Sequence, residues 1–260
     1  MLKKRIDILG VPVDCLDWQR TLEIIETTLL ECSSAQAVIA VNPEKVIRAQ
    51  RTPELLECLR RASLLIPDGI GVVVAARLLG LGKMERIAGS ELMPKICAIA
   101  AQHGYGVYLF GAAPAVNEKA ALRLREDFPT LQIVGRHHGY VCAPDMARVV
   151  AEINASGAAI LFLALGSPRQ ELWMASHLAQ TQVRLCQGVG GTLDVLAGVV
   201  RRAPAVVIKL HLEWLYRLLS QPRRLLRQSA LPRFAVQVLS AALAGAPPGP
   251  GVTNGSGRPQ

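Results

Sequence analysis

Several short segments gather residues able to bind anions or move protons: Asn42-Pro43-Glu44, Pro67-Asp68-Gly69-Ile70-Gly71, Arg86-Ile87-Ala88-Gly89, Gly166-Ser167-Pro168-Arg169-Gln170-Glu171 and Gly188-Val189-Gly190-Gly191-Thr192-Leu193-Asp194. A positioned carboxylate accepts protons, and a glycine run can turn backbone N–H groups toward a phosphate at a helix N-terminus. Each segment also has a plain structural use. Asp68 before Gly69 suits an Asx-turn, Asn42 suits the cap of a helix begun by Pro43, Gln170 falls on the first turn of a helix, and Gly188 to Gly191 suit close strand-to-helix packing. Standard phosphate and nucleophile signatures fail on spacing. Leu193 stands where a G-x-G-x-x-G run from Gly188 needs its third glycine, Met84 follows Gly82-Lys83 where a P-loop needs Ser or Thr, and no G-x-S-x-G occurs.

Short β-branched runs alternate with helical patterns through the first two hundred residues, which predicts a parallel sheet covered by helices. Strands are expected near Arg5 to Leu9, Ala37 to Val41, Ser63 to Ile66, Gly106 to Phe110, Gln132 to Gly135, Ala159 to Leu165 and Val183 to Gln187. Asp17 and Asp145 are read as helix N-caps, and Pro43, Pro53, Pro114 and Pro168 as first-turn prolines. Ligands of open α/β sheets bind beyond the carboxyl ends of the strands. Four of the polar segments fall just after expected strands, with Arg86 to Gly89 following later behind the third, and their convergence on one edge would need four separate coincidences if each were only structural. Glu44 and Glu171 read as first-turn carboxylates favoured by the helix dipole. The adjacent His137 and His138 read as loop or core residues facing different ways.

The 260 residues are 51% apolar, 19% charged and 4% aromatic, a globular composition suited to an Ala/Val/Leu-rich layered core. Six scattered cysteines without a C-x-x-C pair indicate neither a zinc site nor a disulfide framework, and a reducing cytosol is the simplest setting. The uncharged run from Ile96 to Asn117 is interrupted by Gly104, Gly106, Gly111 and Pro114, so helix, turn and strand explain it better than a membrane span. Of the net charge of +9, an excess of seven lies between Arg201 and Arg233, where eight Lys and Arg face one acid, Glu213. That concentration points to an anionic partner, either a phosphate-bearing ligand or a membrane surface. Residues 1–200 are therefore read as an α/β core, 201–244 as a basic helical appendage and 245–260 as a disordered tail.

Together the motifs are similar to those of the WecG/TagA/CpsF family, glycosyltransferase family 26. The resemblance rests on Asn42-Pro-Glu, Pro67-Asp68-Gly-Ile-Gly, Arg86-x-x-Gly89, Leu165-Gly-x-Pro-x-Gln170-Glu, Gly188-Val-Gly-Gly-Thr-x-Asp194 and Arg202-Ala-Pro through Glu213-Trp-Leu-Tyr-Arg217, in order over roughly residues 5 to 230. It implies a Rossmann-like α/β fold and inverting transfer of a hexose, of ManNAc, ManNAc-uronic acid or glucose type, from a UDP-sugar to a polyprenyl-diphosphate-linked saccharide in bacterial surface-polymer synthesis. It places the family's proposed base at Asp68 and pocket residues at Asn42, Arg86 and Gln170. Arg217, Arg224 and Arg227 match the positions that hold the diphosphate, with Asp194 for the ribose and Gly166, Gly188, Gly190 and Gly191 around the nucleotide. One position departs: Ala40 stands where members often carry Thr.

Inverting transfer is a single displacement in which an acceptor hydroxyl attacks the anomeric carbon and UDP leaves. The chain has no D-x-D motif, so arginines are the expected neutralisers of the departing diphosphate and no metal or other cofactor is expected. The appendage carries an apolar stripe, Leu210, Leu212, Trp214, Leu215, Leu218, Leu219, Leu225, Leu226 and Phe234, beside its basic residues, as interfacial helices do. Its expected cover is an anionic membrane surface, with the core or a second copy of the chain as alternatives. The implied location is the cytoplasmic face of the plasma membrane. A non-catalytic nucleotide-binding or membrane-scaffold module is the competing reading. Nucleic acid is disfavoured because leucines rather than exposed aromatics interleave the basic residues.

Overall fold

A computed structural model describes residues 3–200, 204, 206–207, 216 and 230–245. The chain opens with a hairpin of β1 (Arg5–Ile8) and β2 (Val11–Asp14), which pair antiparallel. Its two-residue loop holds Leu9 at φ 56 and Gly10 at φ 86, the left-handed pair that a tight hairpin demands. The Asp7 carboxylate accepts the Gly10 N–H at 2.6 Å and secures the turn. The first expected strand therefore lies outside the main sheet, and a second strand follows it that the pattern Val-Pro-Val-Asp did not reveal.

The remaining expected strands form one parallel sheet: β3 (Gln36–Val41), β4 (Leu64–Pro67), β5 (Val107–Gly111), β6 (Ile133–His137), β7 (Ile160–Ala164) and β8 (Leu185–Gly188), in the spatial order β4-β3-β8-β7-β5-β6. Successive residues of these strands enter two separate cores. Ile39, Val41, Leu65, Phe110, Leu161 and Leu163 pack on one face, while Val38, Ile66, Leu109, Ile160, Phe162 and Leu185 pack on the other. Burial on both faces explains why β3, β4, β5, β7 and β8 read as apolar runs, while the edge strand β6 leaves Val134 and Arg136 exposed.

Helices α1 (Trp18–Glu31), α5 (Gly89–His103), α6 (Pro114–Asp127) and α9 (Thr192–Leu196) cover the second face. The first face is covered by α2 (Pro43–Ala49), α3 (Pro53–Arg61), α4 (Ile70–Leu78), α7 (Met146–Ala155), α8 (Arg169–His177) and α10 (Ala230–Leu243). Asp17 caps α1 by accepting the Arg20 N–H at 2.7 Å, but Asp145 makes no such bond because a short 3₁₀ turn, Ala143–Asp145, leads directly into α7. Pro43, Pro53 and Pro114 are the first residues of α2, α3 and α6. Pro168 instead stands just before α8, joined to Ser167 by a cis bond.

The run from Ile96 to Asn117 divides into the end of α5, a left-handed Gly104, β5 and the start of α6. No helix among the described residues is long and apolar enough to cross a membrane. Within the stretch read as an appendage, α10 lies against α2 and α4, with Ala230, Phe234 and Val238 buried in the first-face core. The other stripe residues, and the tail beyond Gly245, lie outside the described residues.

Candidate active site

The strands β4, β3, β8 and β7 are consecutive neighbours and run parallel, so their carboxyl ends make one continuous rim. Along it the chain leaves β4 at Asp68, β3 at Asn42, β8 at Val189 and β7 at Leu165. The structure thus brings the segments around Asn42, Asp68, Gly166–Gln170 and Gly188–Asp194 to a common edge.

One corner of the rim joins β3 and β4. The Asp68 N–H donates to the Val41 carbonyl at 2.8 Å, setting this half-buried carboxylate beside Asn42. Ile87 donates to the Pro67 carbonyl at 2.8 Å and draws the Arg86 segment to the same corner. Space there is tight. A Cβ on Gly71 would fall 2.7 Å from Pro43 Cγ, and one on Gly89 would fall 3.5 Å from the Ala40 Cβ. Gly69, at φ 92, turns the chain from Asp68 into α4. The Asn42 Oδ1 accepts the Lys45 N–H at 2.8 Å, so this residue does cap α2. Arg86 pairs with Glu91, in the first turn of α5, at 2.7 Å, with only 15% and 23% of the two side chains exposed.

The other corner joins β8 and β7. Gln170 is 4% exposed; its Nε2 donates to Glu171 Oε1 at 3.0 Å, and its Oε1 accepts the Gly190 N–H at 3.2 Å. Gly188 leaves the room for this side chain, since a Cβ there would meet Gln170 Nε2 at 2.7 Å. Val189 donates to the Leu163 carbonyl at 2.9 Å and Thr192 to the Val189 carbonyl at 3.1 Å, so most amides of the glycine segment bond within the protein. Asp194, half-buried on α9, lends its backbone carbonyl to the N–H groups of Val199 and Val200 at 3.0 and 3.1 Å. Gly166, at φ 75, precedes Ser167 and gives its carbonyl to the Gln170 N–H at 2.9 Å. Arg217, Arg224 and Arg227 lie outside the described residues.

Glu171 stands in the first turn of α8, as expected, and there it is fully buried and paired at 2.7 Å with Lys45, itself 5% exposed. Glu44 is likewise a first-turn residue, half-buried and 3.4 Å from Arg48. The rings of His137 and His138 lie 4.6 Å apart and tilted by 54°, so they associate rather than diverge.

Three features escaped sequence reasoning. Lys45 and Glu91, which contact the candidate residues Asn42 and Arg86, look like ordinary helix-surface charges in the sequence. Gln187, buried near the end of β8, donates to the Gly89 carbonyl at 3.0 Å and ties the Arg86 segment to the middle of the rim. Past the rim, β5 continues to β6 and β7 to β8 in opposite directions, the arrangement that opens a crevice between two strand ends. The turn after β5 there holds Ala112 at φ 58, a conformation that alanine seldom adopts.

Proton acceptance at one corner and hydrogen bonding at the other are the chemical means this rim offers. A groove of about 380 Å³ between α2 and α10, lined by Ile47, Gln50, Arg51, Pro232 and Val236, lies at the opposite end of α2 from Asn42 and holds no carboxylate.

Comparison with known proteins identifies the family. The family model described as "Glycosyl transferase WecG/TagA/CpsF family" matches residues 6–247. A Bacillus spizizenii protein named N-acetylglucosaminyldiphosphoundecaprenol N-acetyl-beta-D-mannosaminyltransferase is 36% identical over 224 residues, 86% of each chain. A Staphylococcus aureus protein of the same name is 34% identical over 238 residues, 91% of this chain and 93% of its own.

Proposed function

Because the chain belongs to the WecG/TagA/CpsF family of glycosyl transferases, we propose that it moves N-acetylmannosamine from a UDP-activated donor to an N-acetylglucosaminyl-diphosphate-polyprenol acceptor. The observation that carries this reading is the alignment of Asp68, Asn42, Gly188–Gly191 and Gln170 on four neighbouring strand ends, in a chain that spans most of two relatives bearing that activity in their names.

Asp68 accepts the proton of the attacking acceptor hydroxyl as the bond to the anomeric carbon forms. UDP departs as the opposite bond breaks, with inversion. A carboxylate in this role supplies about 10²- to 10⁴-fold in rate. Arg86 and Gln170 bind oxygens near the sugar and the leaving group, Asp194 holds the ribose, and Arg217, Arg224 and Arg227 neutralise the diphosphate. The lipid acceptor stays in a membrane, and the excess of seven positive charges between Arg201 and Arg233 supports docking of the enzyme on an anionic membrane face.

The test is UDP release from a panel of UDP-sugars with a short-chain N-acetylglucosaminyl-diphosphate lipid. UDP-N-acetylmannosamine should be consumed in preference to UDP-glucose, and Asp68→Asn should lower turnover about a hundredfold or more while UDP still binds. Full turnover by Asp68→Asn would remove Asp68 from the role of base.

A further inference from the structure

Lys45 and Glu171 form a buried ion pair 126 positions apart in sequence, and nothing in the reaction requires them to touch substrate. Burying two charges is costly, and a pair of this kind seldom adds stability over apolar residues of the same size. Its place in the site gives it another use. Glu171 Oε1 receives both the Lys45 ammonium at 2.7 Å and the Gln170 Nε2 at 3.0 Å. On the far side of the same amide, Gln170 Oε1 accepts the Gly190 N–H at 3.2 Å.

A carboxylate only accepts hydrogen bonds, and a backbone N–H only donates. The two contacts therefore demand the same orientation of the Gln170 amide from opposite ends, and rotating it by 180° would break both. Arg48, one turn along α2 from Lys45, also donates to the Ser167 carbonyl at 3.0 Å, so α2 grips the start of α8 at two points.

We infer that Lys45 and Glu171 are positioning residues, whose task is to hold the Gln170 carboxamide in one orientation and, through Gly190, to fix the loop that follows β8. The inference rests on the reading of Gln170 as a substrate-binding residue. Gln170 then meets the substrate with a preset Nε2 donor, and no reorientation is needed as charge develops on the leaving group.

Three comparisons test it, each with UDP release as the readout and a thermal melt as the folding control. Lys45→Met/Glu171→Met replaces the pair by apolar side chains of similar length, and should melt near the parent while kcat falls about tenfold. Adding Gln170→Ala to that variant should lower kcat no further than Gln170→Ala does alone, whereas additive losses would overturn the inference. Glu171→Gln keeps an acceptor oxygen but not the charge. It should recover most of the turnover lost in Glu171→Met; equal loss in both would show that only the ion pair matters and would overturn the positioning role.

Should the apolar pair fail to fold, the wild-type protein decides. With ¹⁵N-glutamine labelling and assignment by loss of signal in Gln170→Ala, one Nε2 proton of Gln170 should exchange slowly with solvent, and exchange of both at the rate of an exposed amide would overturn the clasp. If Gln170→Ala keeps full turnover, the substrate-binding reading of Gln170 fails instead, and the exchange measurement still reports on the clasp separately.

Discussion

The side chain of Gln170 fits only because residue 188 has none. A methyl group there would sit 2.7 Å from Gln170 Nε2, too close for a carbon that cannot hydrogen-bond, and the amide would have to shift away from its bonds to Glu171 and Gly190. We expect Gly188→Ala to fold, because Gly188 does not use left-handed backbone, and to lose about tenfold in turnover. A melting temperature near the parent with depressed UDP release is the expected pair of results; unchanged release would show that the amide position is immaterial. The strand-end positions of this residue, Asp68, Asn42 and Gln170 were legible in the sequence, because Gly, Pro and Asp punctuate the ends of strands locally. The buried pairing of Lys45 with Glu171 was not. Burial of a charge is decided by a partner far along the chain, and helix periodicity assigns such residues to solvent by default.

At the scale of elements, α10 supports the Asp68 corner from behind. A Cβ on Gly71 would lie 3.8 Å from Phe234 Cε1 as well as against Pro43, so the ring packs close to the turn that carries Asp68 into α4. Phe234 is 5% exposed. Phe234→Ala should cost about 3 kcal/mol or more of stability by leaving a cavity, measured by urea unfolding; a loss below about 1 kcal/mol would mean that the helix is not docked in solution. The strands of the parallel sheet were legible to within two residues, five of them because both of their faces are buried, and the edge strand β6 although Val134 and Arg136 are exposed. The hairpin β1–β2 was only half legible. Its turn uses a leucine at positive φ where Asn or Gly would announce it, and Pro12 breaks the strand pattern on a pair outside the main sheet.

For the molecule as a whole, buried acids of the weaker kind set an alkaline limit. Burial pushes the Cys97 thiol up to about 12 from its ordinary 9.0. Burial, with Glu152 as a lesser influence, pushes the Tyr108 phenol up to about 12 from 10.0. Both are held neutral in the folded state, so their contribution to stability is fully present below the unfolded values and is lost as pH rises from about 9 toward 12. Melting temperature should therefore fall between pH 9 and 11, and Cys97→Ala should flatten that slope whatever its effect at neutral pH. An unchanged slope in Cys97→Ala would assign the alkaline loss to other groups.

The position of β8 bears on how the chain is made. It is the last strand of the sheet to leave the ribosome, yet it pairs with β3 on one side and β7 on the other, at the centre of the finished order. Until it arrives, a nascent chain that has already organised β3–β4 and β5–β6–β7 carries two unsatisfied interior edges and no joined rim. Such edges are templates for wrong pairing between molecules. A chain stopped at residue 182 should accordingly be recovered in aggregates rather than as a smaller soluble core, and a monodisperse soluble fragment would refute this. The strand that completes the sheet is also the one that brings Gly188 to Gln170, so the pairing that removes the adhesive edges also joins the two corners of the rim, before α10 and the segment carrying Arg217, Arg224 and Arg227 are added.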